Sequence, residues 1–141
     1  MTRPPTTVEL IGYPEPFPGS DEQYVVKNFL DKTQDDARQM YLHGGMYITE
    51  DFTYMASAGL RYYLPPAFDY LRDDESADDW EFCHGLLCSL SCQADRPQRL
   101  AADVLLLMKE IASYCDAQRE KFGVEAENDL FEKYIRKIGA A

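Results

Sequence analysis

The chain has 141 residues, of which 14 are Lys or Arg and 25 are Asp or Glu, so its formal net charge is −11. This length is typical of one domain, and a 45% apolar content can form a core without disulfides. The negative charge argues against sequence-independent binding to nucleic acid, which depends on cations that neutralise phosphates. With no apolar run of ~20 residues and no recognisable signal peptide, we expect a cytoplasmic protein with no membrane association and with reduced cysteines.

The first 18 residues are rich in proline and are expected to differ from the rest of the chain. Each proline fixes its own φ angle and disfavours helix in the residue before it. We therefore predict an extended segment over residues 1–19 that docks on the domain, with residues 8–11 as a short strand or a covering strip. Residues 20–141 form the predicted helical domain. The five prolines concerned are Pro4, Pro5, Pro14, Pro16 and Pro18.

Apolar residues recur at steps of three and four along most of the chain after residue 20, which predicts amphipathic helices. Strand patterns are nearly absent, so we predict an all-α single domain of about five to seven helices. The predicted helical segments are residues 21–42, 49–56, 58–64, 67–72, 77–94, 97–122 and a last one that begins at 125 or 128.

Breaks between these helices are predicted from glycine and proline. The first segment is either one helix or two helices with a break near residues 32–33, and His43 with the two glycines that follow is expected to end it as a C-terminal cap. Pro65 and Pro66 are expected to stop the segment that begins near residue 58.

A group of polar and aromatic residues over residues 50–69 is the first candidate site. Paired carboxylates are suited to acid–base chemistry, and an arginine among tyrosines is suited to binding an anion. The simpler interpretation, which we favour, is that Arg61 pairs with an acid at 50–51 or 69 while the tyrosine rings pack. The candidate residues are Glu50, Asp51, Tyr54, Arg61, Tyr62, Tyr63 and Asp69.

A second candidate site consists of His84, Cys88 and Cys92, which are spaced by four residues and share one side of a predicted helix. Cys115 on the next helix would supply a further thiolate for a soft metal ion. The chain lacks the closely spaced cysteine pairs typical of structural zinc sites, so unreactive thiols in the core are the favoured interpretation.

Residues 69–81 carry seven acidic residues and one basic residue, without the pattern of a calcium-binding loop. This stretch is either a solvated loop or a docking surface for a basic partner. The acidic residues are Asp69, Asp73, Asp74, Glu75, Asp78, Asp79 and Glu81.

The segment from residue 29 to 71 resembles an uncharacterised bacterial protein family. Members of that family carry a segment like F-L-G-K-[ST] with acids and alanine after it, then E-D and an aromatic–Met pair, then F-R-Y-Y-L-P-A. The resemblance implies a bacterial origin and a shared fold, and it brings no catalytic residues. The matching residues are Phe29-Leu30-Asp31-Lys32-Thr33, Asp36-Ala37, Glu50-Asp51, Tyr54-Met55 and Leu60-Arg61-Tyr62-Tyr63-Leu64-Pro65; Asp31 replaces Gly, Leu60 replaces Phe, and Pro66 adds a second proline.

The sequence contains no phosphate loop, no dinucleotide fingerprint and no G-x-S-x-G or H-E-x-x-H motif, which lowers the expectation of an enzyme. No cofactor is predicted. The favoured hypothesis is a small acidic interaction module, such as an inhibitor or accessory subunit, that binds a basic protein. The alternative is a helical protein that binds a small molecule or metal, with or without catalysis. A protein that dimerises through an apolar helix face is the third hypothesis, and the sequence leaves the oligomeric state open.

Overall fold

The computed structural model describes residues 3–141, except for the side chains of residues 45 and 46. All regular structure in this part of the chain is helical, which confirms the all-α prediction. No helix among the described residues is both long and apolar enough to cross a bilayer. The α-helices are α1 (Thr7–Ile11), α2 (Asp21–Phe29), α3 (Gln34–Thr49), α4 (Ser57–Arg72), α5 (Trp80–Ala94), α6 (Ala102–Ala117) and α7 (Asp129–Ala140), and the 3₁₀ turns are Glu50–Tyr54, Asp74–Ser76 and Pro97–Arg99.

Helix α5 lies at the centre of the fold. It packs against α3, α7, α6 and the 3₁₀ turn 50–54, while α3 also packs against α4. Its apolar composition agrees with this position, since Leu86, Leu87 and Leu90 are fully buried. The core beside α3 and α4 is aromatic, with Phe29 against Tyr63 at a centroid distance of 4.8 Å.

The N-terminal segment docks on the domain as predicted, but residues 7–11 form a helix, so the predicted extended strip or strand is wrong there. The side chain of Thr6 accepts a hydrogen bond from Glu9 N, and the Glu9 carboxylate accepts one from Thr6 N. This capping box begins a helix directly after Pro4 and Pro5. The helix has only five residues, which is too few for a periodic apolar pattern to predict it. Leu10 is fully buried, and a Cβ on Gly59 of α4 would lie 2.8 Å from its carbonyl oxygen.

Of the two alternatives for residues 21–42, the structure shows two helices with a break near residues 32–33, because α2 ends at Phe29 and α3 begins at Gln34. The predicted end at His43 is wrong, because α3 continues through the glycines to Thr49. Tyr41 and Thr49, on either side of the glycines, are both fully buried. Packing on both sides outweighs the ~1 kcal/mol that each glycine costs in a helix.

The prediction that Pro65 and Pro66 stop a helix is also wrong, because α4 runs through both. Each proline lacks the N–H that would bond to the carbonyl four residues earlier, so Pro66 leaves the Tyr62 carbonyl without its helical donor. The side chain of Gln34 donates to that carbonyl at 2.8 Å. On the following residue, the Tyr63 carbonyl accepts a hydrogen bond of 2.8 Å from the Tyr41 hydroxyl.

The later helices follow the predicted order with shifted starts. Asp79 caps α5, so this helix begins at Trp80 and not near residue 77. Residues 97–99 form a separate turn, and α6 begins at Ala102 after Ala101 N donates to the Ser57 hydroxyl at 2.8 Å. Asn128 caps α7, which confirms one of the two predicted starts.

Replacing Tyr41 with Phe should lower the free energy of unfolding by about 1–2 kcal/mol, because it removes a buried donor from the Tyr63 carbonyl. Urea denaturation measures this change. Tyr24→Phe serves as the control, since Tyr24 is 58% exposed. Equal effects of the two substitutions would contradict this account of α4.

Candidate functional site

The 3₁₀ turn 50–54 positions the site, and two side chains of α5 hold this turn. The amide nitrogen of Gln93 lies 2.8 Å from the Phe52 carbonyl oxygen, 3.0 Å from that of Thr53 and 2.9 Å from that of Met55. One helical turn earlier, the Ser89 hydroxyl donates to the Thr49 carbonyl at 2.7 Å. Carbonyl groups that the turn leaves open are thus satisfied from a rigid central helix.

A cleft of about 250 Å³ opens where this turn meets α2 and the end of α3. We call it the acidic–aromatic cleft. It carries three carboxylates, three tyrosines and one amide, and no lysine or arginine is among the described residues that line it. Three of the seven exposed large apolar or aromatic residues in the described chain belong to it. Its residues are Asp21, Tyr24, Asn28, Tyr47, Glu50, Asp51 and Tyr54.

An adjoining cavity of about 380 Å³ shares Asp21, Glu50 and Tyr54 with the cleft. Its other wall is the face of α5 that carries His84, Cys88 and Cys92. The two candidate sites predicted from sequence therefore meet in space, although they lie about 30 residues apart in the chain. This follows from the packing of α5 against the 3₁₀ turn 50–54.

Asp51 is the most perturbed acid of the cleft. Its side chain is 5% exposed, and it accepts a hydrogen bond of 2.7 Å from Asn28. Burial raises the pKa of Asp51 to about 6; the hydrogen bond opposes this rise, whereas the carboxylates of Glu50 and Asp21 add to it. Burial and the neighbouring carboxylates thus favour the neutral form of Asp51, and a cation that enters the cleft would favour its ionised form.

Tyr54 joins the cleft to the adjoining cavity and is 36% exposed. Its pKa is raised first by burial and then by a hydrogen bond to the Asp21 carboxylate. The phenol is therefore neutral at ordinary pH and presents a hydroxyl and a ring face. Tyr47, which is 85% exposed, and Tyr24, which is 58% exposed, present further ring surface.

On α5, the His84 ring lies beside the Trp80 ring at a tilt of 39°, with ring centroids 4.6 Å apart, and burial lowers the pKa of His84. Its Nδ1 atom is buried without a hydrogen-bond partner among the described residues. The Cys88 thiol forms a hydrogen bond with the hydroxyl of Tyr134 on α7. Burial, and then this hydrogen bond, raise the pKa of Tyr134. The face thus presents a neutral imidazole and two partly buried thiols.

Cys115 does not join this face. It is fully buried against Cys83, and the hydrogen bond between the two thiols, followed by burial, raises the pKa of Cys83. No group of three or more His, Cys, Asp or Glu side chains within the described residues is arranged to hold a metal ion. The predicted metal set of His84, Cys88, Cys92 and Cys115 therefore gains no support from the structure.

The predicted ligand set is divided. Glu50, Asp51 and Tyr54 share the cleft, whereas the remaining members have structural contacts elsewhere. Arg61 forms a two-pronged ion pair with Asp103 at 2.7 and 2.9 Å, so the expected pairing with acids at 50–51 or 69 is wrong.

The other three members of that set also lie outside the cleft. Tyr62 is buried beside Gln34 and Arg61, and Asp69 pairs with Arg72 at 2.7 Å. Tyr63 is fully buried, with its hydroxyl 2.7 Å from the Phe29 carbonyl oxygen at the end of α2.

The acidic stretch 69–81 is also largely engaged within the fold. Arg38 pairs with Asp73 at 3.3 Å and with Glu75 at 3.5 Å, while Asp69 pairs with Arg72. Asp79 caps α5 and accepts a hydrogen bond from the Tyr70 hydroxyl. Four of its seven carboxylates therefore stabilise local structure, so the stretch is weaker as a docking surface than its composition indicates.

Sequence reasoning missed four residues of the cleft: Asp21, Tyr24, Asn28 and Tyr47. The sequence feature that could have indicated Tyr24 is its place on the helix. Val25 and Phe29 form the buried face of α2, whereas Tyr24 lies outside that face and is exposed.

Comparisons of the chain with protein-family models, curated proteins and solved structures find no match. The resemblance of residues 29–71 to an uncharacterised bacterial family thus stays a prediction.

Replacing Asp51 with Asn should stabilise the protein at neutral pH but not at acidic pH. An Asp in the unfolded chain has a pKa of about 4. Between that value and the folded value of about 6, the folded state binds the extra proton, so stability falls as pH rises through this window. The Asn variant lacks this loss and should gain about 1 kcal/mol above pH 6, after allowance for solvent screening.

Urea denaturation across this pH range, with Asp74→Asn as the exposed control, measures the difference between variant and parent. A stability difference that stays constant with pH would contradict the assigned environment of Asp51.

Proposed function

We propose that the chain is a protein-interaction module, of the inhibitor or accessory type, that binds a basic protein partner. A Lys or Arg side chain of the partner occupies the acidic–aromatic cleft. The observation that carries this proposal is that three carboxylates and three exposed tyrosines line one cleft without a basic side chain among them.

The chemistry of the cleft fits a cationic side chain with an apolar stem. The carboxylates of Asp21, Glu50 and Asp51 supply charge-assisted hydrogen bonds to an ammonium or guanidinium group. The exposed rings of Tyr24 and Tyr47 supply cation–π contacts and apolar surface for the methylene groups. The net charge of −11 would speed association with a basic partner by electrostatic steering.

The titration of Asp51 makes the affinity of the cleft for a cation dependent on pH. A bound cation favours the ionised carboxylate, so binding should lower the pKa of Asp51 below its free value of about 6. By linkage, affinity for the cation should rise as pH rises through that value. An exposed acidic patch with ordinary pKa values would lack this dependence near pH 6.

The second candidate function is small-molecule binding in the adjoining cavity. The observation that favours it is the buried Nδ1 atom of His84, which has no partner among the described residues. A ligand with a hydrogen-bonding group would satisfy that atom.

The dimer hypothesis has less support, since α6 and α7 expose single large apolar residues, Leu106 and Leu130, and not a continuous stripe.

The direct test is binding of a fluorescent peptide of three Gly-Lys repeats, measured by anisotropy. We expect Asp21→Asn with Glu50→Gln to weaken binding by at least about tenfold, because two charge-assisted contacts are lost. The matched control is Glu125→Gln with Glu127→Gln, which removes the same charge from the exposed turn before α7 and should retain binding.

Binding should also weaken on going from about 50 mM to about 500 mM salt, because charge contacts at a surface are screened. A peptide of Gly-norleucine repeats should not bind. If the cleft variant and the control weaken binding equally, only the overall charge matters and the proposal fails.

A further inference from the structure

A third cavity, of about 320 Å³, is also lined by Tyr54, but it carries two basic side chains. We call it the arginine cavity. Arg96 and Arg99 line it, together with the apolar side chains of Ile11, Met55 and Leu100. Its volume is at the lower end of the range for small-molecule sites, roughly 300–1,000 Å³.

Neither arginine has an acidic partner within the described residues, because the nearest acids in sequence are already engaged. Asp95 precedes Arg96, but Lys137 of α7 holds its carboxylate at 2.8 Å. Asp103 lies four residues after Arg99, but it forms the two-pronged ion pair with Arg61. The fold thus leaves both guanidinium groups unpaired at one cavity.

This arrangement departs from the rest of the chain. Acids outnumber bases by 11, and most arginines find a carboxylate within the fold. Of the eight arginines, only Arg96, Arg99 and Arg136 lack an ion pair in the described part of the chain. Arg96 and Arg99 are both exposed, so water solvates them in the free protein, and an anion that enters the cavity meets two guanidinium groups that no carboxylate of the fold already occupies.

The remaining walls restrict the kind of anion. Ile11 and Met55 are buried residues that offer apolar surface to the cavity. Glu22 also lines it, in contact with the Tyr13 hydroxyl, and its negative charge disfavours a multiply charged ligand such as a phosphate dianion. We propose that the arginine cavity binds an organic monocarboxylate with an apolar body, held by Arg96 and Arg99.

The arginine cavity is separate from the acidic–aromatic cleft, and the binding proposed for it does not depend on the cleft. The two share Tyr54 but none of their charged residues. A small acid and a basic side chain could therefore be bound by the same molecule at neighbouring positions.

The test uses phenylacetate as the probe, titrated into the full chain and followed by NMR at the Arg96 and Arg99 Nε–H signals and by calorimetry. We expect binding near the millimolar range, as suits a ligand of about ten heavy atoms. Neutral phenylacetamide should bind at least about tenfold more weakly, because it lacks the charge-assisted contacts.

Arg96→Gln with Arg99→Gln should lose phenylacetate binding, whereas Arg136→Gln should retain it. Arg136 is the matched control because it is exposed and forms no ion pair with any residue that the structure describes. The Asp21→Asn and Glu50→Gln variant of the cleft should also retain binding, which separates this inference from the proposed function.

Equal affinity for phenylacetate and phenylacetamide would overturn the proposal, as would unchanged binding in the Arg96 and Arg99 variant. Tighter binding of inorganic phosphate than of phenylacetate would overturn the assignment of a monocarboxylate. Shifts of the two arginine signals in the unmodified protein provide a result that does not depend on any variant.

Discussion

The amide of Gln93 satisfies the carbonyl groups of a 3₁₀ turn, and the candidate site depends on this interaction. Three carbonyls of the turn region lie within 3.0 Å of that one nitrogen, which extends from the central helix α5. The turn fixes Glu50, Asp51 and Tyr54 in the acidic–aromatic cleft, and Tyr54 lines the two neighbouring cavities as well. A rigid helix thus positions residues that a free loop would leave mobile.

The distribution of charge follows from which acids the fold engages. The stretch 69–81 is the most acidic part of the sequence, yet Arg38, Arg72 and the start of α5 engage four of its carboxylates. The cleft is less acidic in composition, but its lining contains no base. Recognition is therefore expected where charge is left uncompensated and not where acidic residues are most frequent.

Short sequence patterns predicted those structural features that depend on interactions between residues close together in the chain. The break between α2 and α3, the cap at Asn128 and the grouping of Glu50, Asp51 and Tyr54 all lie within a few residues in sequence. The helix through Pro65 and Pro66 could not be predicted, because its extra donors, Gln34 and Tyr41, come from another helix. The partner of Arg61 is likewise 42 residues away in sequence, and Tyr24 and Tyr47 line one cleft only through tertiary packing.

The most direct test of the central claim is an NMR titration of the full chain with the peptide of Gly-Lys repeats. The account predicts chemical-shift changes at residues 21–28 and 47–54, reversed by salt, with small changes elsewhere. Changes centred on residues 69–81 would place recognition on the acidic stretch and contradict the assignment of the cleft. Chemical-shift changes spread evenly over all acidic surfaces would indicate electrostatic attraction of the peptide without a specific binding site. That result would also contradict the assignment of the cleft.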